Sequence, residues 1–114
     1  MPTDEKKKMD LNQSIQAQKT ELVLIDFFAS WCAPCRNLMP IIDELLQKRK
    51  DLSLIKIDID QHPYLLSEYN ITSYPTLLLY KNGRKINRRV GFCSYEELLS
   101  FIDRHKEEKN NFCC

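Results

Sequence analysis

Cys32 and Cys35, in Trp31-Cys32-Ala33-Pro34-Cys35, carry the clearest chemical signal in the chain. Two thiols at this spacing can close into a small disulfide ring and open again. They directly follow an apolar run, Leu22 to Ala29, and directly precede an amphipathic helical pattern. A thiol pair at a strand-to-helix junction points to thiol–disulfide exchange rather than to a structural staple. Cys32 falls at the start of the predicted helix, where unpaired N–H groups and the helix dipole favour a thiolate. That makes it the expected nucleophile. Cys35 lies almost one turn later on the same side. It is expected to be more buried, and to attack a mixed disulfide so that the reduced partner is released. Pro34 fits a first helical turn, where a missing N–H is no loss, and it stiffens the ring. Ala33 has no evident chemistry of its own.

Asp26 is the second signal. A carboxylate inside a strand covered on both faces is unfavourable unless it is paired or neutral. Burial should raise its pKa and let it exchange a proton near neutral pH. A purely structural pairing with Lys56 is the alternative, and Lys56 could equally be a solvated strand lysine. Trp31 offers an apolar surface beside the thiols, or packs. Arg36 adds positive charge there, or faces solvent.

The elements that must position these groups are legible in the pattern. Leu11 to Lys19 reads as a short surface helix, and Leu22 to Ala29 as a strand covered on both faces. Leu38, Ile41, Ile42, Leu45 and Leu46 recur at i, i+3, i+4, i+7 and i+8, one face of a helix. Pro40 lies inside that pattern and should kink it. Leu54 to Asp60 alternates as a strand, with Ile55, Ile57 and Ile59 on one side. Pro63 to Tyr69 suits a short helix with Leu65, Leu66 and Tyr69 inward. Thr76 to Lys81 and Lys85 to Val90 flank Asn82-Gly83, a strong two-residue hairpin signal. Ser94-Tyr95-Glu96-Glu97 is a capping box. The helix it opens buries Leu98, Leu99 and Phe101 or Ile102 and fades near Lys106. This order predicts an α/β fold, a mixed sheet with helices on both faces. Residues 1–10 read as a flexible terminus or a short edge strand, 11–106 as the domain, and 107–114 as a polar tail ending in Cys113 and Cys114.

Composition narrows the function classes. The 114 residues suit one domain, and 43% hydrophobic content argues against a disordered chain. A net charge of +1 gives no basic excess for nucleic acid. No apolar run is long enough to span a bilayer, and the N-terminus lacks a secretory signal. A cytoplasmic location and no stable membrane association are the expectations. Five cysteines, unevenly spaced, do not form a secreted disulfide framework. A structural zinc site needs further ligands at defined spacing, and His62, His105 and the other cysteines provide no second CxxC. No metal is therefore expected. Cys93 reads as a bystander thiol, with regulatory oxidation as the alternative. Cys113 and Cys114 read as tail residues without a dedicated role, with lipidation as the alternative.

Together, Asp26, Trp31-Cys32-x-Pro34-Cys35, Pro40, Lys56, Asp58 to Pro63, Pro75-Thr76, Asn82-Gly83 and Gly91 resemble the thioredoxin family in order and spacing, over about residues 20 to 105. The resemblance implies the thioredoxin fold and reduction of protein disulfides, with a redox-active Cys32–Cys35 disulfide and no bound cofactor. It implies recycling by a flavin-containing thioredoxin reductase, a role in cell redox homeostasis, and a monomer. It makes Asp26 the proton acceptor for Cys35. It makes Pro75 a cis proline packed against the CxxC, where the residues alone suggest only a strand-start proline. It leaves the Tyr74 backbone open to an extended substrate and gives Gly91 a close approach to that substrate, where a plain loop glycine is the alternative. Three positions depart from the family pattern. Ala33 replaces the usual Gly, Phe28 stands where many members have Trp, and Tyr74 precedes Pro75 where Ile or a small residue is commoner. An oxidase or isomerase of the same fold is a weaker expectation, because such relatives usually carry His between the cysteines. A redox-inactive binding module would usually have lost one cysteine.

Overall fold

The structure, a computed structural model, describes the backbone of residues 9–112 and the side chains of residues 9–103. The elements are α1 (Leu11–Ala17), β1 (Leu22–Phe28), α2 (Ala33–Lys48), β2 (Leu52–Asp58), α3 (Tyr64–Glu68), β3 (Thr76–Lys81), β4 (Arg84–Val90) and α4 (Tyr95–Phe112). The sheet order is β2-β1-β3-β4. β1 runs parallel to β2 and antiparallel to β3, and β4 is antiparallel to β3. The continuous apolar run thus becomes an interior strand, as burial on both faces requires.

Alternation along β1 divides the core between the two faces. Val23, Ile25 and Phe27 pack with Leu11 and Ile15 of α1, Leu65 of α3, and Ile55, Ile57 and Ile59. Leu22 and Leu24 pack with Leu38, Ile42 and Leu45 of α2 and Leu98, Phe101 and Ile102 of α4. Helices therefore cover both faces, as the sequence predicts. By the same alternation Asp26 faces the α2 and α4 side.

Several local devices behave as read. Asn82 (φ 51°) and Gly83 (φ 84°) both adopt positive φ in the hairpin turn, the backbone that an Asn-Gly pair accepts most easily. The capping box closes reciprocally: Glu97 N–H donates to Ser94 Oγ at 3.1 Å, and Ser94 N–H donates to Glu97 Oε1 at 2.8 Å. The bounds of β2 and α4 differ most from the sequence reading. β2 begins at Leu52 and ends at Asp58, so Asp60 lies in the turn beyond it. The strand starts earlier because its pairing follows β1, Leu22 opposite Leu52. α4 continues to Phe112, past the fade near Lys106. Its later residues include Glu and Lys, good helix formers, and no Gly or Pro. Pro40 lies within α2, whose span is unbroken. The edge strand read in residues 1–10 lies almost wholly outside the described residues, as do Cys113 and Cys114.

Candidate active site

β1 ends at Phe28, and the chain turns into α2 through Ala29 to Cys32. Cys32 is the N-cap residue of α2, with extended backbone, and its Sγ accepts the Cys35 N–H at 3.2 Å. Its own N–H donates to the Ala29 carbonyl at 3.1 Å, and Arg36 N–H donates to the Cys32 carbonyl at 3.2 Å. Sulfur here takes the place that a Ser or Asp oxygen holds at an ordinary N-cap. Pro34 sits in the first turn, where its ring is preorganised for helix. Cys32 and Cys35 are joined in a disulfide, with Cα atoms 5.3 Å apart. Both are buried: Cys32 is 7% exposed and Cys35 1%. Cys35 is thus the deeper sulfur, as expected, but Cys32 is far more covered than an exposed helix start would suggest. Ala33 and Pro34 are exposed and form the outer side of the ring. Once the disulfide opens, the donated N–H and the helix dipole favour a thiolate at Cys32.

Asp26 is fully buried, and neither carboxylate oxygen has a hydrogen-bond partner among the described residues. Burial raises its pKa to about 7, against the opposing pull of the Lys56 ammonium. Lys56 stands beside Asp26 in the β1–β2 register. Its side chain is exposed, with Nζ 5.6 Å from the centre of the Phe28 ring. A cleft of about 230 Å³ lies between Phe28, Cys35, Met39 and Lys56. It opens beside the deeper sulfur and beside the lysine that flanks Asp26, and it is large enough for water.

The loop before β3 lies at the same end of the sheet, since Thr76 is opposite Phe27. The Tyr74–Pro75 peptide is cis. Pro75 is buried, and its carbonyl accepts the Gly91 N–H at 2.8 Å. Gly91 has φ 97°, and a Cβ placed there would meet nothing within 4 Å. Glycine is thus required for the backbone angle, and the space above it is open. Trp31 is 63% exposed. Its ring meets Tyr74 edge to face, with centroids 5.8 Å apart, and its Nε1–H donates to Asp60 Oδ2 at 3.1 Å. The Arg36 guanidinium donates to the Ser30 carbonyl at 2.8 Å. The contacts therefore link Trp31 to Tyr74 and Pro75 to Gly91.

Sequence reasoning missed Asp60 as the partner of Trp31. The available signal was a carboxylate just past the end of β2, at the same end of the sheet as Trp31. It also missed Val90 and Phe92, which are 51% and 48% exposed. Cys93 is free and fully buried. Burial pushes its thiol pKa up, with Arg89 acting against the shift. Among the described residues no group of three or more His, Cys, Asp or Glu side chains is placed to hold a metal ion. No described helix is long and apolar enough to cross a membrane.

Comparison with known proteins agrees with this geometry. The family model described as Thioredoxin matches residues 3–104. The chain belongs to the thioredoxin family. It is 40% identical over 95 residues to a thioredoxin of Mycoplasmoides gallisepticum, covering 83% of this chain and 93% of that one. It is 40% identical over 85 residues to a thioredoxin of Chlamydia trachomatis, covering 75% and 83%. Among solved structures it resembles Fasciola hepatica thioredoxin with a TM-score of 0.74, 34% identity, and coverage of 83% of this chain and 90% of that one. It resembles Plasmodium falciparum thioredoxin with a TM-score of 0.73, 33% identity, and coverage of 82% and 89%. The fold is the thioredoxin fold, and the activity is protein-disulfide oxidoreduction by a redox-active cysteine pair.

Proposed function

We propose the following division of labour for disulfide reduction by this chain. The Cys32 thiolate attacks one sulfur of a substrate disulfide and forms a mixed disulfide, and the first substrate thiolate leaves and takes a proton. Cys35 then gives its proton toward Asp26, and its thiolate attacks the Cys32 sulfur. The Cys32–Cys35 disulfide forms and the second substrate thiolate leaves. Two electrons pass from the dithiol to the substrate, so the step needs no bound cofactor. A thioredoxin reductase returns the electrons. A cytoplasmic monomer acting on disulfide-containing proteins is the setting we assign. Trp31, Tyr74, Pro75 and Gly91 border the substrate, Lys56 tunes Asp26, and Ala33 and Pro34 shape the ring.

The observation that carries this reading is the Cys32 sulfur at the N-cap of α2, accepting the Cys35 N–H. A sulfur there is stabilised as an anion before any substrate arrives. The buried Asp26, without a hydrogen-bond partner among the described residues, supplies a group that exchanges protons near neutral pH. The test is insulin disulfide reduction coupled to a thioredoxin reductase and a nicotinamide reductant. Cys32→Ser should abolish turnover. Cys35→Ser should keep the attack and accumulate a covalent mixed disulfide that dithiothreitol releases. If Cys35→Ser traps nothing while Cys32→Ser does, the two roles are reversed.

A further inference from the structure

We propose that Arg88 is a positioning residue for substrate binding. From β4, its guanidinium holds the end of α3 and so sets the place of residues 70–75, the loop whose backbone meets a peptide substrate. The inference rests on the disulfide-reductase reading above and assigns a residue outside the cysteine motif to the binding half of that reaction.

α3 is five residues long, too short to hold its own end firmly. The chain leaves it through a tight reversing turn. Ile71 N–H donates to the Leu66 carbonyl at 2.8 Å, and Asn70 N–H donates to the Ser67 carbonyl at 3.4 Å. Asn70 stands at φ 57°, the left-handed position that closes such a turn, where Asn replaces the commoner Gly. Ile71 is buried and packs in the core of the α1 face, as does Leu66. The turn uses the Leu66 and Ser67 carbonyls and leaves those of Tyr69 and Asn70 to be met from elsewhere. Arg88 meets both. Its Nη1 donates to the Tyr69 carbonyl at 3.1 Å, and its Nη2 donates to the Asn70 carbonyl. Two donors on two successive carbonyls suit the rigid guanidinium fork, which Lys cannot reproduce.

Arg88 is half-buried and forms no ion pair among the described residues. Its charge is thus directed at these carbonyls, and a charged donor makes the stronger hydrogen bond. The other end of the loop is held by the same stretch of chain. Arg88 lies opposite Leu78 in the β3–β4 register, and Val90 lies opposite Thr76. Just past Val90, Gly91 N–H donates to the Pro75 carbonyl at 2.8 Å. Thr76 Oγ1 closes that end with a bond to the Ser73 carbonyl at 2.6 Å. Thr72 and Ser73, between the two anchors, are exposed. β4 and its exit therefore grip the loop at both ends, with Arg88 at the α3 end. A loop held before binding loses less freedom when substrate arrives, and this raises affinity.

The experiment uses the full chain, kept reduced by an excess of a thioredoxin reductase and a nicotinamide reductant. The two substrates are insulin and hydroxyethyl disulfide, which has no peptide backbone to lie along the loop. Arg88→Met keeps the stem and removes the donors. It should raise KM for insulin about ten-fold, the loss expected for a charge-assisted hydrogen bond, with kcat changed by less than about two-fold. Its rate on hydroxyethyl disulfide should match wild type. Amide hydrogen exchange at Ser73 and Tyr74 should speed up in the variant. Arg88→Lys keeps the charge without the fork, so its KM should stay nearer to that of Arg88→Met than to wild type. It also serves alone if Arg88→Met does not fold. An equal loss on both substrates, or lower stability with KM unchanged, overturns the inference, because Arg88 would then hold the fold and not the loop for substrate. Full recovery in Arg88→Lys overturns it as well, because the effect would then be simple charge attraction. A wild type that reduces neither substrate overturns the disulfide-reductase reading itself.

Discussion

Asp26 has no solvent exposure and, among the described residues, no hydrogen-bond partner for either oxygen, so its charge is opposed by burial and relieved by the field of Lys56. Its pKa rises from 3.8 to about 7. The unfolded chain releases this proton at lower pH than the folded one does. Between those values the unfolded state binds fewer protons, so stability falls as pH rises. The contribution is fully present below about 3.8 and is lost as pH climbs through about 7. Integrated, the loss is on the order of 4 kcal/mol. Asp26→Asn keeps the shape and removes the ionisation. In urea denaturation of the oxidised protein, it should be more stable than wild type at pH 8, with the gain shrinking toward pH 4. A gain that does not depend on pH would mean that the buried charge is not its source. The same substitution should slow resolution of the mixed disulfide with the fold intact, and single-turnover kinetics would read that separately. Together the two results would show stability and chemistry pulling in opposite directions at this carboxylate, the signature of a buried group kept for proton transfer.

Sequence patterns described the elements best where local chemistry alone decides the outcome. The Ser94–Glu97 box needs only its own four residues, and both of its bonds form. Ser94→Ala should lower stability by about 1 kcal/mol in chemical denaturation, and an unchanged midpoint would show that α4 is held by packing alone. Asn82-Gly83 is equally local. Gly83 has φ 84°, and an added Cβ would meet the Gln16 amide at 2.7 Å. That amide ends a flexible side chain and can move aside, whereas the backbone angle cannot. Gly83→Ala should therefore cost about 1 kcal/mol or more, and adding Gln16→Ala should recover little of it. Full recovery would place the cost in the clash instead. Asp26 was legible because a carboxylate in an apolar strand is conspicuous without any structure. The Trp31–Tyr74–Asp60 contact was not, because three distant segments meet only after the sheet assembles. The start of β2 depends on its register with β1, and the end of α4 outruns the apolar pattern that marked it. Local periodicity records neither.

At the scale of the whole molecule, an open sheet must leave strands at its edges, and β4 is one of them among the described residues. An unpaired edge presents N–H and C=O groups to any other strand that approaches. β4 reads Arg84-Lys85-Ile86-Asn87-Arg88-Arg89-Val90. Two of its four basic residues have partners within the fold. Arg88 donates to the Tyr69 and Asn70 carbonyls, and Arg89 pairs with Glu97 at 3.7 Å. Arg84 and Lys85 are exposed at the hairpin end, away from the disulfide. Positive charge there repels the same edge of a second copy, while Val90, at the other end of β4, is apolar and exposed. Replacing both residues, Arg84→Thr with Lys85→Val, should leave the fold intact, since exposed substitutions usually change stability little. It should, however, cause concentration-dependent self-association by static light scattering. Loss of net charge alone could promote association, so Lys48→Gln with Lys50→Thr, at exposed positions at and just past the end of α2, serves as the charge-matched control and should not associate. If both double variants associate alike, net charge is responsible. If neither does, pairing of this edge is prevented by the twist of the hairpin and not by its side chains.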